Sequence, residues 1–410
     1  MELRPILSAL RRNKVGAVLI ALQIAVTLGI LCNAFYIVQQ RRSLIARPSG
    51  VDEADLFTIS NQWVGNPSNM AALQRADIAA LRAIPGVSDV FAAMSVPLND
   101  SAMTLGITTN PDNPNSMRIA AAYLGDEHTL STLGAKLVAG RDFSATDVRE
   151  LDGLFGDRPP IGGLLITRDL AHKLSPKGQI LGRVVTLFPF VLRVPVIGVI
   201  DRLQVPFVDA PDDKVGNLVE DSMILPWRYV GDAYWYVVRV KPSAMDAAMR
   251  AAPAVLAGVS RARIIEKVRA MSQARRDIYR ANRTMVQMLM VVCAVLLAVT
   301  AFGIVGLTSY WVSQRRRQIG IRRTLGATRM AILQYFQTEN LVITVAGIVG
   351  GLALAMAGNL WMVERFSTAR LPLFYLAGGV LTMLVLGQLA VLWPALRAAS
   401  VPPAVATRTS

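Results

Sequence analysis

Six arginines, Arg315, Arg316, Arg317, Arg322, Arg323 and Arg329, fall within residues 313–338, SQRRRQIGIRRTLGATRMAILQYFQT. Guanidinium groups at this density suit one kind of chemistry, charge-assisted hydrogen bonding to carboxylate or phosphate oxygens. Ile319, Ile321, Leu325, Ile332 and Leu333 are interleaved with them, and Gly320 and Gly326 are expected to bracket a turn. The segment thus combines apolar contact area with a cationic rim, as a docking surface would. It lies between two long uncharged stretches, and a short Lys- and Arg-rich loop between membrane spans is retained in the cytoplasm. An amphipathic helix of this composition can also rest on anionic lipid. From the residues alone, docking and lipid contact both stay open.

Little other chemistry is encoded. The dipeptide Gly-Lys never occurs, so the loop that cradles nucleotide phosphates is missing together with its lysine. No Gly-x-Ser-x-Gly elbow and no His-Glu-x-x-His helix is present. Cys32 and Cys293 are the only cysteines and both lie in apolar runs, so no disulfide framework can be drawn. His128 and His172 are isolated, whereas a metal site needs more ligands at close spacing. Carboxylates between residues 41 and 283 are scattered and read as solubilising. The chain is expected to be a non-catalytic protein with no cofactor or metal of its own.

Composition points to a membrane. Of 410 residues 53% are hydrophobic, and mean hydropathy is +0.41; soluble domains reach roughly 45–50% apolar even counting glycine. A net charge of +15 could suggest nucleic acid, but residues 41–283 carry 29 Lys and Arg against 25 Asp and Glu. That middle segment contributes only +4, and the remaining +11 flanks the apolar runs. The basicity is a topology signal, and no nucleic-acid partner is expected.

Those apolar runs must position the arginines. Residues 1–14 form a basic cytoplasmic segment ahead of a first span at 15–40, which is uncharged for 26 residues. A signal peptide would need only about 7–15 apolar residues and a cleavage site after them, so this span is expected to be retained. Further spans are expected at 284–312, 336–363 and 371–396, with 313–335 as the cytoplasmic arginine segment, 364–370 as an outer loop and 397–410 as a cytoplasmic tail. Residues 41–283 then lie outside the cytoplasm as a mixed α and β domain. Strands are expected at Leu56–Ser60, Val87–Val96, Met103–Thr109, Leu164–Thr167, Val184–Leu187, Val194–Ile200 and Trp235–Val240, and helices at Met70–Ile84 and Ser243–Ala257. Turn signals fall at Asn110-Pro111, Asn113-Pro114, Pro159-Pro160 and Pro211-Asp212. Arg275, Arg276, Arg280 and Arg283 are expected on an exposed stalk helix leading into the second span. Gly347 and Gly351 give a GxxxG spacing in the third span, and Gly303 and Gly306 place small residues in the second. Such glycines pack helices within one unit or between two copies of the chain. Glu339 is expected to pair with a nearby arginine or to snorkel.

The run from Arg317 to Arg329, RQIGIRRTLGATR, followed by Ile332, Leu333 and Glu339, resembles the signature of the MacB/FtsX-like permeases, membrane subunits of a class of ABC transporters. The segment from Leu133 to Phe143 with Asp147, the pieces Gln179–Leu187 and Val196–Ile200, and the tail WPALRAASVPPAVATR are similar to other parts of that family. The resemblance implies an α-helical membrane protein with four transmembrane helices and a large α+β extracytoplasmic domain between the first and second. It implies that Arg317, Ile319, Gly320, Ile321, Arg322, Arg323, Leu325, Gly326 and Arg329 touch an ATPase subunit. MacB itself carries an ATPase domain that is missing here, so a separate ATPase dimer would bind ATP and magnesium. The implied mechanism is mechanotransmission in a bacterial inner membrane, driving export of a periplasmic substrate. A second permease copy or a paralogue, a periplasmic adaptor with an outer-membrane duct, and membrane lipid would be the partners. The family also contains FtsX-like regulators of cell-wall hydrolases and LolC/LolE-like permeases that release lipoproteins.

Overall fold

The computed structural model describes residues 14–65, 67–99, 102–153, 158–176, 178–206, 220–366 and 370–400, except the side chains of Pro114, Arg323 and Phe366. The expected basic segment 1–13, the Pro211-Asp212 turn, residues 367–369 of the outer loop and residues 401–410 of the tail lie outside them. Two compact units divide the chain, Met1–Ile45 with Asn282–Ser410, and Ala46–Ala281.

The described residues begin with helix α1 (Lys14–Ala46). The second unit then follows as β1 (Leu56–Trp63), α2 (Met70–Arg82), β2 (Val87–Ala93), β3 (Met103–Thr108), β4 (Arg118–Leu124), α3 (Thr129–Leu133), β5 (Leu137–Gly140) and β6 (Arg149–Asp152). It continues with β7 (Leu164–Thr167), α4 (Arg168–Leu174), β8 (Val184–Phe188), β9 (Leu192–Ile200), β10 (Ser222–Leu225), β11 (Trp227–Val230) and β12 (Ala233–Val240). The last elements of this unit are α5 (Met245–Val259), β13 (Arg263–Ile264), β14 (Val268–Ala270) and α6 (Met271–Ile278).

One sheet has the order β13-β1-β12-β2, with β14 also pairing with β1. β1 and β12 run antiparallel from Leu56 opposite Arg239 to Gln62 opposite Ala233. Phe57, Ile59, Val90, Tyr236 and Val238 of this sheet share a core with Ile78 and Leu81 of α2 and with Ala248, Ala252 and Leu256 of α5. Those helical residues recur every three or four positions, so each helix presents one apolar stripe. The stripe of α2 also buries Asp77, which is fully enclosed. Both guanidinium nitrogens of Arg263 donate to it, at 2.7 and 2.9 Å, and the Tyr236 hydroxyl donates at 2.5 Å. The same guanidinium donates to Asn61 Oδ1 at 3.1 Å and sits 4.3 Å above the Trp63 ring. Desolvation pushes the Asp77 carboxyl up, and the hydrogen bonds from Arg263 and Tyr236 oppose it. Burial of a charge is tolerable only with such pairing.

The second sheet has the order β5-β9-β7-β10-β4-β3-β8. Strand β8 pairs antiparallel with both β3 and β9, so the path returns to β9 and the pairings close into a ring. Strand β6 pairs with β11 in a separate parallel ribbon. After β5 the chain turns at Gly140, with φ +81°, where a Cβ would lie 2.2 Å from the Ile197 carbonyl oxygen. Arg141 then donates to both carboxylate oxygens of Asp147, at 2.7 and 3.1 Å, while Phe143 is buried between them in sequence. The guanidinium holds the Asp147 carboxyl well below the usual carboxylate range, helped by Ser144.

The two ends of this unit are fastened to each other. Arg275 of α6 donates to Glu53 at 2.5 Å and to the Arg47 carbonyl oxygen. Ser49 donates to the same Glu53 carboxylate at 2.5 Å, and Gln204 donates to the Tyr279 hydroxyl at 2.8 Å. The expected exposed stalk is thereby corrected in part: Arg276 and Arg280 are exposed, whereas Arg275 is half-buried in an ion pair. The helix also breaks at Tyr279, which is fully buried.

Helices α7 (Arg280–Gln314), α8 (Arg316–Thr324), α9 (Arg329–Phe366) and α10 (Leu373–Ala399) complete the first unit. Helices α1, α7, α9 and α10 are each long and apolar enough to cross a membrane. Polar side chains tie them together where lipid gives no hydrophobic drive. Thr27 and Thr300 join α1 to α7 at 2.9 Å, and Asn33 donates to the Ala355 carbonyl oxygen of α9 at 3.1 Å. Asn340 of α9 donates to the Gly387 carbonyl oxygen of α10 at 2.9 Å. Arg41 donates to Asn282 at 2.9 Å, joining the end of α1 to the start of α7.

The enclosed Asp77 sets a test of the first sheet. Arg263→Met should destabilise the fold by about 3–5 kcal/mol, because it strands a buried carboxylate. Adding Asp77→Asn should recover part of that loss, since the charge goes with its partner. Denaturant unfolding of both variants in detergent measures the difference; equal stability of the single variant and the parent would remove the structural role of the pair.

Candidate functional site

The arginine segment folds as a helical hairpin. Helix α8 carries Arg317 and Ile321 four residues apart on one side, with Leu325 a further four on, just past its end. Arg315, Ile319 and Arg322 recur at helical spacing on the other side, toward α9. The turn between α8 and α9 uses Gly326 with φ +94°, a backbone conformation that favours glycine. Gly320 does not share in that turn. It lies inside α8 and is buried, which corrects the expectation of two bracketing glycines.

Burial separates the two sides. Ile319 and Ile332 are each 6% exposed and Phe336 is 3% exposed, whereas Ile321 is 49% and Leu325 82% exposed. Arg316, Arg317, Arg322 and Arg329 are exposed. Arg315 donates to both oxygens of Glu339, at 3.0 and 2.9 Å, with the carboxylate side chain only 2% exposed. It also reaches the Tyr335 hydroxyl at 3.4 Å, while the Arg322 guanidinium lies 5.2 Å from the centre of the same ring. Tyr335 is thus bracketed by two guanidiniums, a role the sequence reading missed. Its position four residues before Glu339, on the same helical face, was the available signal. The Arg323 side chain lies outside the described residues. Helix α9 begins at Arg329, so the last part of segment 313–335 is continuous with the third span.

The small residues of the spans fall into different settings. A Cβ at Gly347 would lie 2.7 Å from the Ala21 carbonyl oxygen, and one at Gly351 would lie 2.8 Å from Leu28 Cβ. Both glycines therefore let α9 approach α1 of the same chain. Gly303 faces Gln23, with a Cβ 2.5 Å from the amide oxygen, whereas a Cβ at Gly306 meets nothing within 4 Å.

Residues 18–255 match the family description of the MacB-like periplasmic core domain, and residues 290–403 match the FtsX-like permease C-terminal description. The chain belongs to the MacB/FtsX-like permeases. It is an ABC transporter permease with four transmembrane helices and a large extracytoplasmic domain between the first and second. Among its relatives is the uncharacterized ABC transporter permease YknZ of Bacillus subtilis, 23% identical over 99% of this chain and 98% of that protein. The macrolide export ATP-binding/permease protein MacB of Nitrosomonas europaea is 27% identical over 66% of this chain, which spans only 40% of that relative's length. The crystal structure of the periplasmic region of MacB from Actinobacillus actinomycetemcomitans aligns with 58% of this chain and 97% of its own, at 14% identity and a TM-score of 0.34.

The glycine settings make a paired test. In this permease Gly351→Val should destabilise the helix bundle by about 1–3 kcal/mol, since added carbon atoms force α9 away from α1. Gly306→Ala should change stability by no more than about 0.5 kcal/mol. Thermal unfolding of the two variants in the same detergent compares them, and equal losses would mean that Gly351 sets no helix distance.

Proposed function

We propose that this permease couples ATP hydrolysis by a separate ATPase dimer to conformational change in its extracytoplasmic domain, and so drives export of a substrate from the far side of a bacterial inner membrane. The observation that carries the reading is the outer side of α8, where Ile321 and Leu325 stand exposed at helical spacing from the exposed Arg317. Apolar anchors ringed by cations suit a protein surface with acidic edges. ATP and magnesium would be held by that ATPase, because this sequence has no phosphate-binding loop. A second permease, identical or paralogous, would complete the complex, with a periplasmic adaptor and outer-membrane duct as further partners. Relatives named for macrolide and pyoverdine export support a cargo of the antibiotic or siderophore type. The match to the MacB-like domain over residues 18–255 favours this reading over hydrolase regulation or lipoprotein release.

Replacing Ile321 and Leu325 together by Asp tests the docking face. Loss of one well-packed anchor commonly weakens binding by about 2 kcal/mol or more. The double variant should insert and express normally, lose its co-purifying ATPase, and lose stimulated hydrolysis. Retention of both the partner and its activity would sink the docking role.

Orientation has its own check. In a background without Cys32 and Cys293, Ser144→Cys and Ser243→Cys, both exposed positions, should react with an impermeant thiol reagent in intact spheroplasts. Ser313→Cys should be protected until the membrane is opened. The reverse pattern would overturn the topology.

A further inference from the structure

The inner side of the arginine hairpin is not closed. Between α8 and the start of α9 lies a solvent-open cleft of about 100 Å³, lined by Arg315, Gln318, Arg322 and Tyr335 above an apolar floor that includes Ile332 and Phe336. Neither Ile321 nor Leu325 lines it, whereas Ile319 and Arg322, both expected among the ATPase contacts, do.

Charge at the cleft is unbalanced by one. Arg315 and Arg322 both reach Tyr335, but the carboxylate of Glu339 is taken by Arg315. Among the described residues Arg322 has its ring contact and no carboxylate partner in hydrogen-bond range. One anionic oxygen group would neutralise the site. The cleft also has a definite depth. Residues 340–363 carry no charge at all, so Tyr335 and Phe336 stand at the boundary between the apolar part of α9 and the arginine segment. That boundary is where the phosphates of a bilayer lie, and basic pockets at this level attract anionic headgroups. A soluble anion would gain from the guanidiniums but would leave the apolar floor wet. A phospholipid satisfies both parts.

We propose that this cleft holds the phosphate of an anionic membrane phospholipid between Arg322 and Gln318, with the start of an acyl chain against Ile332 and Phe336. The occupant would seat the hairpin at a fixed depth in the leaflet. Its recognition does not depend on an ATPase, so the test is made on the permease alone.

The full chain is placed in nanodiscs of phosphatidylcholine containing phosphatidylglycerol, re-extracted in mild detergent, and examined for retained lipid by native mass spectrometry. The parent should keep one phosphatidylglycerol per chain in preference to phosphatidylcholine. Arg322→Gln should reduce that retention about tenfold or more, as expected for loss of a charge-assisted hydrogen bond. Arg316→Gln removes the same charge from an exposed position outside the cleft and should leave retention unchanged. Equal retention by the parent and Arg322→Gln, equal loss in both variants, or equal retention of phosphatidylcholine would overturn the assignment. Displacement of the lipid by millimolar inorganic phosphate or by a soluble phosphopeptide would also overturn it, in favour of a soluble anion.

Discussion

The ion pair between Arg315 and Glu339 is the constraint on which the arginine end of the helix unit depends. Glu339 is almost completely enclosed at the point where α9 becomes uncharged. An ionised carboxylate in that position needs a hydrogen-bonding cation, or its desolvation is uncompensated. Arg315, one residue past the end of α7, supplies both donors. The pair therefore brings the end of the second span against the early turns of the third. With those two points fixed, the intervening chain has little freedom: one short helix, a left-handed glycine, and a return into α9.

Sidedness follows from that geometry. Within a helix as short as α8 (Arg316–Thr324), residues that face α9 are taken into the cleft and the others are left outside. The same six-arginine segment thus presents two surfaces of different character. One has protruding aliphatic side chains with cations beside them; the other is concave, with cations over an aromatic ring. Exposed Ile321 and Leu325 and the cleft under Arg322 thus belong to different faces of one short helix.

Much of this was legible in the sequence, and the exceptions have physical causes. Uncharged runs long enough to span a bilayer announced α1, α7, α9 and α10; α1, α7 and α9 extend past both expected limits, whereas α10 starts two residues later than expected, after Pro372, and runs three further. Strands with clear β-branched runs, such as β9 at Leu192–Ile200, lie where they were expected. Strand β4 was overlooked because its core, IAAAY, favours a helix by local propensity; pairing with β3 and β10 overrides that preference. The short strands β6, β11, β13 and β14 exist through their partners and carry little pattern of their own. At the hairpin, the arginines and the Gly326 turn were visible, but Gly320 could not be placed in a helix from its residue type, and the spacing of Tyr335 four residues before Glu339 gained meaning only when Arg315 and Arg322 converged on it. Single polar residues in apolar runs, Thr27, Asn33 and Asn340, likewise acquire meaning only through the helix each one meets.

The fastening at the two ends of the large domain has a consequence for how such a chain can be assembled. Residues 47–53 and Arg275 are in direct contact, and β1 near the beginning lies beside β14 near the end. A folded domain whose ends meet can be carried between two helices as an insertion, because little chain is needed to reach from one end to the other. Inserting a segment of this size between α1 and α7 then leaves the pairing of those helices almost untouched. The contacts that order the domain's two ends are thus made within the domain itself.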